Sequence, residues 1–431
     1  LLSYLQGTDQ TTIITADSAY VRAIRDAQGR LNLRPELKSS EQEKDPNAEP
    51  LRLPRTKIAI NDLFVSYQDL GEKLPLKDHV IVPFARGDIY DGAHALLNAR
   101  VRNPLLSFWG KGQVHLFEGE GWASADVNTP DLVSANRYLE LVGKLNDAID
   151  DFRFISGAID GQLYANWNSW SFDKLRYTLG IDFDQVNAYV PYYRAPMLLN
   201  GRTTINEKRV EIPGLDLQTG ASQLLLTGHV GEYLQKPAFD LRLRTPGLYI
   251  EPIVKSVNYP SIKGLLADLN PSGLVRSDVR VQGVLDNIRA NGFVALPRFA
   301  MKDVRVNDAQ ADFDYNPKAA QADLRVGAAA YQKIDVAGLT SRLTYTPDLL
   351  TIHRLNTQIF QGNVSASGRL GLKTNALQAN VSGRNLSLQD MQQDIGLRLD
   401  PKTRPAGRVN LTADAAGTLS NPRASGVVSS P

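Results

Sequence analysis

The sequence predicts a mainly β protein: an elongated antiparallel repeat sheet curled into an open trough, with a few short helices. Three observations carry that prediction. Apolar and polar residues alternate over many short runs, as side chains do on the two faces of a strand. Asn, Gly, Asp and Pro punctuate those runs, as antiparallel turns require. The later part of the chain also repeats itself, since GVLDNIRANG (283–292) and GTLSNPRASG (417–426) agree at both glycines, the leucine, the asparagine and the Arg-Ala pair.

Taken in order, residues 1–50 read as an N-terminal strand region followed by a polar stretch, KSSEQEKDPNAEP (38–50), with the composition of a mobile loop. Residues 51–200 read as a first trough segment. It opens on KIAIND, with Ile58 and Ile60 on one side. SFDKLRYTLGIDFD (171–184) places Leu175, Tyr177, Leu179, Ile181 and Phe183 on one face and Lys174, Arg176, Thr178 and Asp182 on the other. Between them TPDLVSANRYLELVGKLNDAID predicts a helix near 130–149, with Thr129 as N-cap, Pro130 in the first turn and Asp131 near the positive helix end.

Residues 201–292 form one repeat copy, 293–341 connecting strands, and 342–431 a second, truncated copy. The segments beginning at Arg202 and Arg342 align without gaps through Gly228 and Gly368, and further on Gly283 aligns with Gly417. A small loop deletion accounts for the change in offset. Apolar alternation continues in DLRLR (Leu241, Leu243), DVRVQG (Val279, Val281), ADLRV (Leu324, Val326), RLTY (Leu343, Tyr345) and GRVNLTA (Val409, Leu411), with Arg242 and Arg280 on the wet side. SIKGLLADL (261–269) and LSLQDMQQDI (386–395) predict short helical inserts at corresponding places in the two copies. Such repeats signal an array in which each unit covers its neighbour's open face. The decapeptides then read as turn chemistry: glycine permits positive φ, Asn tolerates it, and Pro422 belongs at an edge or a turn.

Composition narrows the function. At 431 residues the chain exceeds one ordinary compact domain. Its 48 basic and 46 acidic residues leave a net charge of +2, which points to no nucleic-acid partner. There is no cysteine, hence no disulfide, thiolate metal site or cysteine nucleophile. No apolar run reaches the ~18 residues of a membrane-spanning helix. The chain opens on Leu1 and stops just after a repeated motif, so it reads as a piece of a longer protein whose signal or anchor lies outside it.

Catalytic chemistry is not evident. His79, His94, His115, His229 and His353 show no HExxH or paired ligand spacing, and neither a GxSxG elbow nor a P-loop occurs. Asp147, Asp150, Asp151 and Asp160 lack calcium-loop spacing and read as a solvated helix end. Trp109, Trp122, Trp167 and Trp170 read as core and rim aromatics, with sugar stacking as the alternative. No enzyme, cofactor or metal is expected.

AYVRAIRDAQGRLNLRPEL (19–37), the polar loop, and RTKIAINDLFVSYQD (55–69) resemble the opening region of the TamB and AsmA-like family of envelope proteins. LTYTPDLLTIHRLNTQIFQGNVSASGRLGL, NLSLQDM and GTLSNPRASG resemble that family's repeating body. The resemblance implies a β-taco trough in the periplasm, held to the inner membrane by an N-terminal anchor and to an outer-membrane barrel assembly protein by a C-terminal region, both outside this chain. It implies a translocation and assembly module role in outer-membrane biogenesis and phospholipid transport.

The strands support a groove independently. One apolar face per strand must be covered, and phospholipid acyl chains can cover it at ~0.8 kcal/mol per buried methylene. The groove would be lined by the seventeen apolar residues named above, from Ile58 to Leu411. Alternatively these faces pack against each other as a dry solenoid or sandwich core. Two other functions compete: a periplasmic scaffold or chaperone offering edge strands to outer-membrane proteins, and a carbohydrate-active enzyme, which needs two convergent carboxylates where acidic residues here fall singly on the wet face.

Overall fold

The computed structural model of this chain describes residues 11–26, 32, 54–70, 77–103, 105–137, 139, 152–171, 174–395 and 406–430. The described residues are mainly strand. All 23 strands belong to one open, mainly antiparallel sheet, and the chain forms two compact units, residues 1–191 with 198–211 and residues 192–197 with 212–431.

In the first unit β1 (Thr12–Asp17) and β2 (Tyr20–Arg25) run parallel to β3 (Thr56–Asp69), the exception to the antiparallel rule. An antiparallel meander continues from there: β4 (Lys77–Ile89), β5 (His94–Arg102), β6 (Ser107–His115), β7 (Gly121–Thr129), β8 (Arg153–Trp167) and β9 (Arg176–Val190). Strands β10 (Tyr193–Asn206) and β11 (Arg209–Thr219) come next.

The second unit continues with β12 (Ser222–Gly231), β13 (Ala238–Tyr249), β14 (Ser272–Val284), β15 (Asn287–Met301), β16 (Val304–Asn316), β17 (Ala319–Tyr331), β18 (Ile334–Tyr345), β19 (Leu349–Ile359), β20 (Gly362–Gly371), β21 (Ala376–Ser387), β22 (Arg408–Thr418) and β23 (Asn421–Ser429). Helices Ile250–Ser256 and Pro260–Leu269 separate β13 from β14, and helix Leu388–Ile395 separates β21 from β22. The order β11–β12–β13–helix–β14–β15 thus recurs as β19–β20–β21–helix–β22–β23. Only the first of these helices had no counterpart in the sequence reading.

Local chemistry sets the turns. Asn206 Oδ1 accepts from the backbone N–H of Lys208 and Arg209, and Asn316 Oδ1 from Lys318 and Ala319, so each asparagine closes its own hairpin. The two decapeptides are hairpins with two-residue turns at Leu285–Asp286 and Leu419–Ser420. Gly283 and Gly417 occupy equivalent positions at φ +112° and +122°, where an added Cβ would lie 2.3 Å and 2.6 Å from the carbonyl oxygens of Asn287 and Asn421. Only glycine fits that approach.

Strand alternation is not strict. Several strands carry one residue at positive φ in mid-course: Asp62, Gln185, Asp308 and Asn385. The apolar set changes parity at each of them. Ile58 and Ile60 give way to Leu63 and Val65 across Asp62, and Val304 and Val306 to Ala309 and Ala311 across Asp308. An extra residue in a strand behaves this way, bending it and re-aiming the side chains beyond. The sequence reading of unbroken alternation is therefore corrected.

Two boundaries are also corrected. SFDKLRYTLGIDFD does not form one strand, because β9 starts at Arg176, leaving Lys174 in a turn and Leu175 outside the ladder. Thr129 is the last residue of β7 and hydrogen-bonds across to β8 instead of capping a helix. Asp131 is the cap, its carboxylate accepting from Val133 N–H ahead of a 3-10 turn at Leu132–Ala135. Most of the helix expected near 130–149, with Asp147, Asp150 and Asp151, lies outside the described residues, as does the loop at 38–50.

Candidate functional site

Residues directly opposite each other in an antiparallel pair put their side chains on the same face. Register therefore shows which predicted lining residues meet. In the first unit Ile60 pairs with Ala85, which pairs in turn with Ala99, Gly110, Ala125, Leu163 and Leu179. A second row runs from Ile58 through Gly87, Leu97, Gly112, Ala123 and Ala165 to Tyr177. Gly161 pairs with Ile181 and Ile159 with Phe183. Six of the seven first-unit residues thus share one face. Leu175, outside β9 and 39% exposed, is not placed by any strand pairing.

The second unit does the same. One row is Leu241, Val281, Ala290, Tyr315, Ala320, Tyr345, Leu350, Leu370 and Leu377. The next is Leu243, Val279, Gly292, Phe313, Ala322, Leu343, Ile352, Gly368 and Ala379. Leu324 and Val326 stand opposite Ala311 and Ala309, and Leu411 and Val409 opposite Gly383 and Leu386. All ten second-unit residues fall on one face.

On that face Val326 and Leu386 are buried, while most of the other large side chains stay partly exposed. Among the described residues no large side chain is completely buried. Leu97, flanked by Gly87 and Gly112, is 54% exposed. Alanine gives a comparison at constant chemistry. Ala95, Ala125 and Ala309 on the apolar face are only 7%, 8% and 7% exposed, whereas Ala328, Ala337 and Ala416 on the opposite face are exposed. The apolar face is the more enclosed one. Hydroxyls interrupt it in the second unit, where Thr245 and Ser277 satisfy each other at 2.8 Å.

The opposite face of the second unit is a charge ladder. Arg242 grips Asp278 through two bonds of 2.7 and 2.6 Å, and Arg280 grips Asp240 through two of 2.9 Å. Arg342 holds Asp323, and Arg325 approaches Asp312. The guanidinium hydrogen bonds hold the carboxyls of Asp240, Asp278 and Asp323 below the usual aspartate range. Carboxylates do not fall singly, as the sequence suggested: Asp312 stands opposite Asp323, and Asp160 opposite Asp182. Each of these four has its own partner. Asn128 donates to Asp160, and Arg202 lies 3.6 Å from Asp182.

The histidines do not converge on a metal site. His79 stacks on Phe64, and His353 bonds to Thr344. His94 meets His115 edge-on and lies 2.5 Å from Asp91. The carboxyl of Asp91 is lowered to about 2, chiefly by the backbone N–H of His94. Among the described residues no three His, Asp or Glu side chains are placed to hold a metal. No described helix is long and apolar enough to cross a membrane. No protein-family model, curated protein or solved structure matches the chain.

Proposed function

We propose that this is a TamB/AsmA-like structural protein of the periplasm whose apolar face carries phospholipid acyl chains between the inner and outer membranes, in support of outer-membrane biogenesis. The observation that carries this reading is an apolar face kept in register over strand after strand, most of whose large side chains stay partly exposed. A folded chain exposes contiguous apolar surface of this kind where a partner or ligand covers it. An acyl chain of 16 carbons gains on the order of 12 kcal/mol on leaving water, at ~0.8 kcal/mol per methylene. Because that attraction is non-directional, a uniform aliphatic surface holds a chain without trapping it at one point. Headgroups stay in solvent. Anchorage to the inner membrane and docking to an outer-membrane barrel protein belong to the same proposal.

Native mass spectrometry of the purified protein tests this reading. Phospholipid that co-purifies and is released by detergent is the expected result. A protein that emerges free of lipid from phospholipid-rich cells, and that takes up none from vesicles, contradicts it.

A further inference from the structure

We infer that the polar face of the first unit holds a saccharide-binding site built around Trp109. Trp109 lies in β6 between Arg100 and Asp126, so its ring projects from the face opposite the acyl-chain surface. It is 42% exposed. The indole stands between two hollows of about 350 and 460 Å³, both of which it lines together with Asp126. Phe84 bounds the smaller hollow, and Lys111, Gln162 and Tyr164 bound the larger. Phe84 and Trp109 are two strands apart, roughly 10 Å at a strand spacing of about 4.8 Å.

The other tryptophans include residues with structural work. Trp170 donates to Leu116 O from a turn, and Trp167 stands opposite Gly121 in the apolar rows. Trp109 has no such task. Nor do its neighbours: among the described residues no side-chain hydrogen bond or ion pair engages Trp109, Lys111, Asp126, Gln162 or Tyr164. The charge ladder of the second unit is the opposite case, with its donors and acceptors spent on each other.

An exposed indole flanked by unspent donors and acceptors matches the chemistry of a pyranose. The flat C–H face of a sugar ring packs on the electron-rich aromatic face. Its hydroxyls, each both donor and acceptor, can meet the amide of Gln162, the carboxylate of Asp126 and the ammonium of Lys111. Two hollows sharing one indole suit neighbouring units of a linear oligosaccharide. Arg100 lines the smaller hollow and Arg202 the larger, but Asp126 lines both beside the indole, and a carboxylate there repels a phosphate backbone, which follows an unbroken basic groove.

Titrating the whole chain with cellotetraose and with tetra-N-acetylchitotetraose, read by tryptophan fluorescence and calorimetry, tests this. Saturable millimolar-or-tighter binding of at least one is expected. Trp109→Ala should weaken it by about tenfold or more, with the far-ultraviolet circular dichroism and phospholipid capture unchanged. Tyr164→Ala and Asp126→Ala should weaken it by less. The inference is overturned if neither oligosaccharide binds, if Trp109→Ala binds as the parent does, or if oligothymidylate binds more tightly than both through Trp109.

Discussion

Leu241 and Arg242 are neighbours in one strand, and so are Arg280 and Val281 in the next, yet the two faces they serve have solved opposite problems. On the polar face these charges have found partners within the sheet: Arg242 with Asp278, Arg280 with Asp240. On the apolar face Leu241 stands between Gly228 and Val281, with Ala290 beyond, and remains partly exposed. A polar group can be satisfied by a geometric partner one strand away or by water. An apolar surface is satisfied only by being removed from water. At these four residues the polar face is satisfied within the sheet, and the apolar face is not.

The comparison breaks most visibly when a charge crosses from one face to the other. Val281→Asp or Leu179→Asp should abolish phospholipid uptake at that point, since an unpaired charge under an acyl chain costs several kcal/mol. Uptake is read by native mass spectrometry, with circular dichroism confirming the fold. Next in size is Gly292→Ala. At φ +147° an added Cβ would lie 2.0 Å from the carbonyl oxygen of Asp278, so the strand must shift, at about 1–3 kcal/mol in chemical denaturation.

Acid sharpens the comparison from the polar side. Arginine partners lower Asp240, Asp278 and Asp323 in the folded state, so their contribution is present above the unfolded value of ~3.9 and is lost as pH falls through the lower folded values. Unfolding midpoints of the chain should decline below about pH 4, and Asp278→Asn should make that decline shallower. The smallest effect belongs to Arg280→Glu, which faces Asp240 with a like charge. It should lower the denaturation midpoint slightly and leave phospholipid uptake unchanged.

Much of this was legible in the residues. Alternation in DLRLR and DVRVQG is enough to put Leu241, Leu243, Val279 and Val281 on the apolar side and Arg242 and Arg280 on the wet side, but the two helices between these strands hide the register that pairs Leu241 with Val281. The recurrence of GVLDNIRANG was likewise readable as a repeated hairpin. The change of parity at Asp62, Gln185 and Asp308 could not be read. A polar residue between two apolar runs looks the same whether it takes its turn on the wet face or sits at positive φ and shifts the rest of the strand. The ladder was missed for a related reason: which Arg meets which Asp depends on register across strands, not on spacing within one. Trp109 was noticed as a type of residue, but its face is set only by its pairing with Arg100 and Asp126.

The central claim is that the two faces differ in what they touch, and adjacent residues test it most directly. A photo-crosslinking amino acid placed at Val281, and separately at Arg280, differs by one position in sequence and by the whole thickness of the sheet in surroundings. With the chain loaded with phospholipid, adducts should form at position 281 and be near background at 280. Equal capture at the two positions, or lipid captured at 280 alone, would contradict the account.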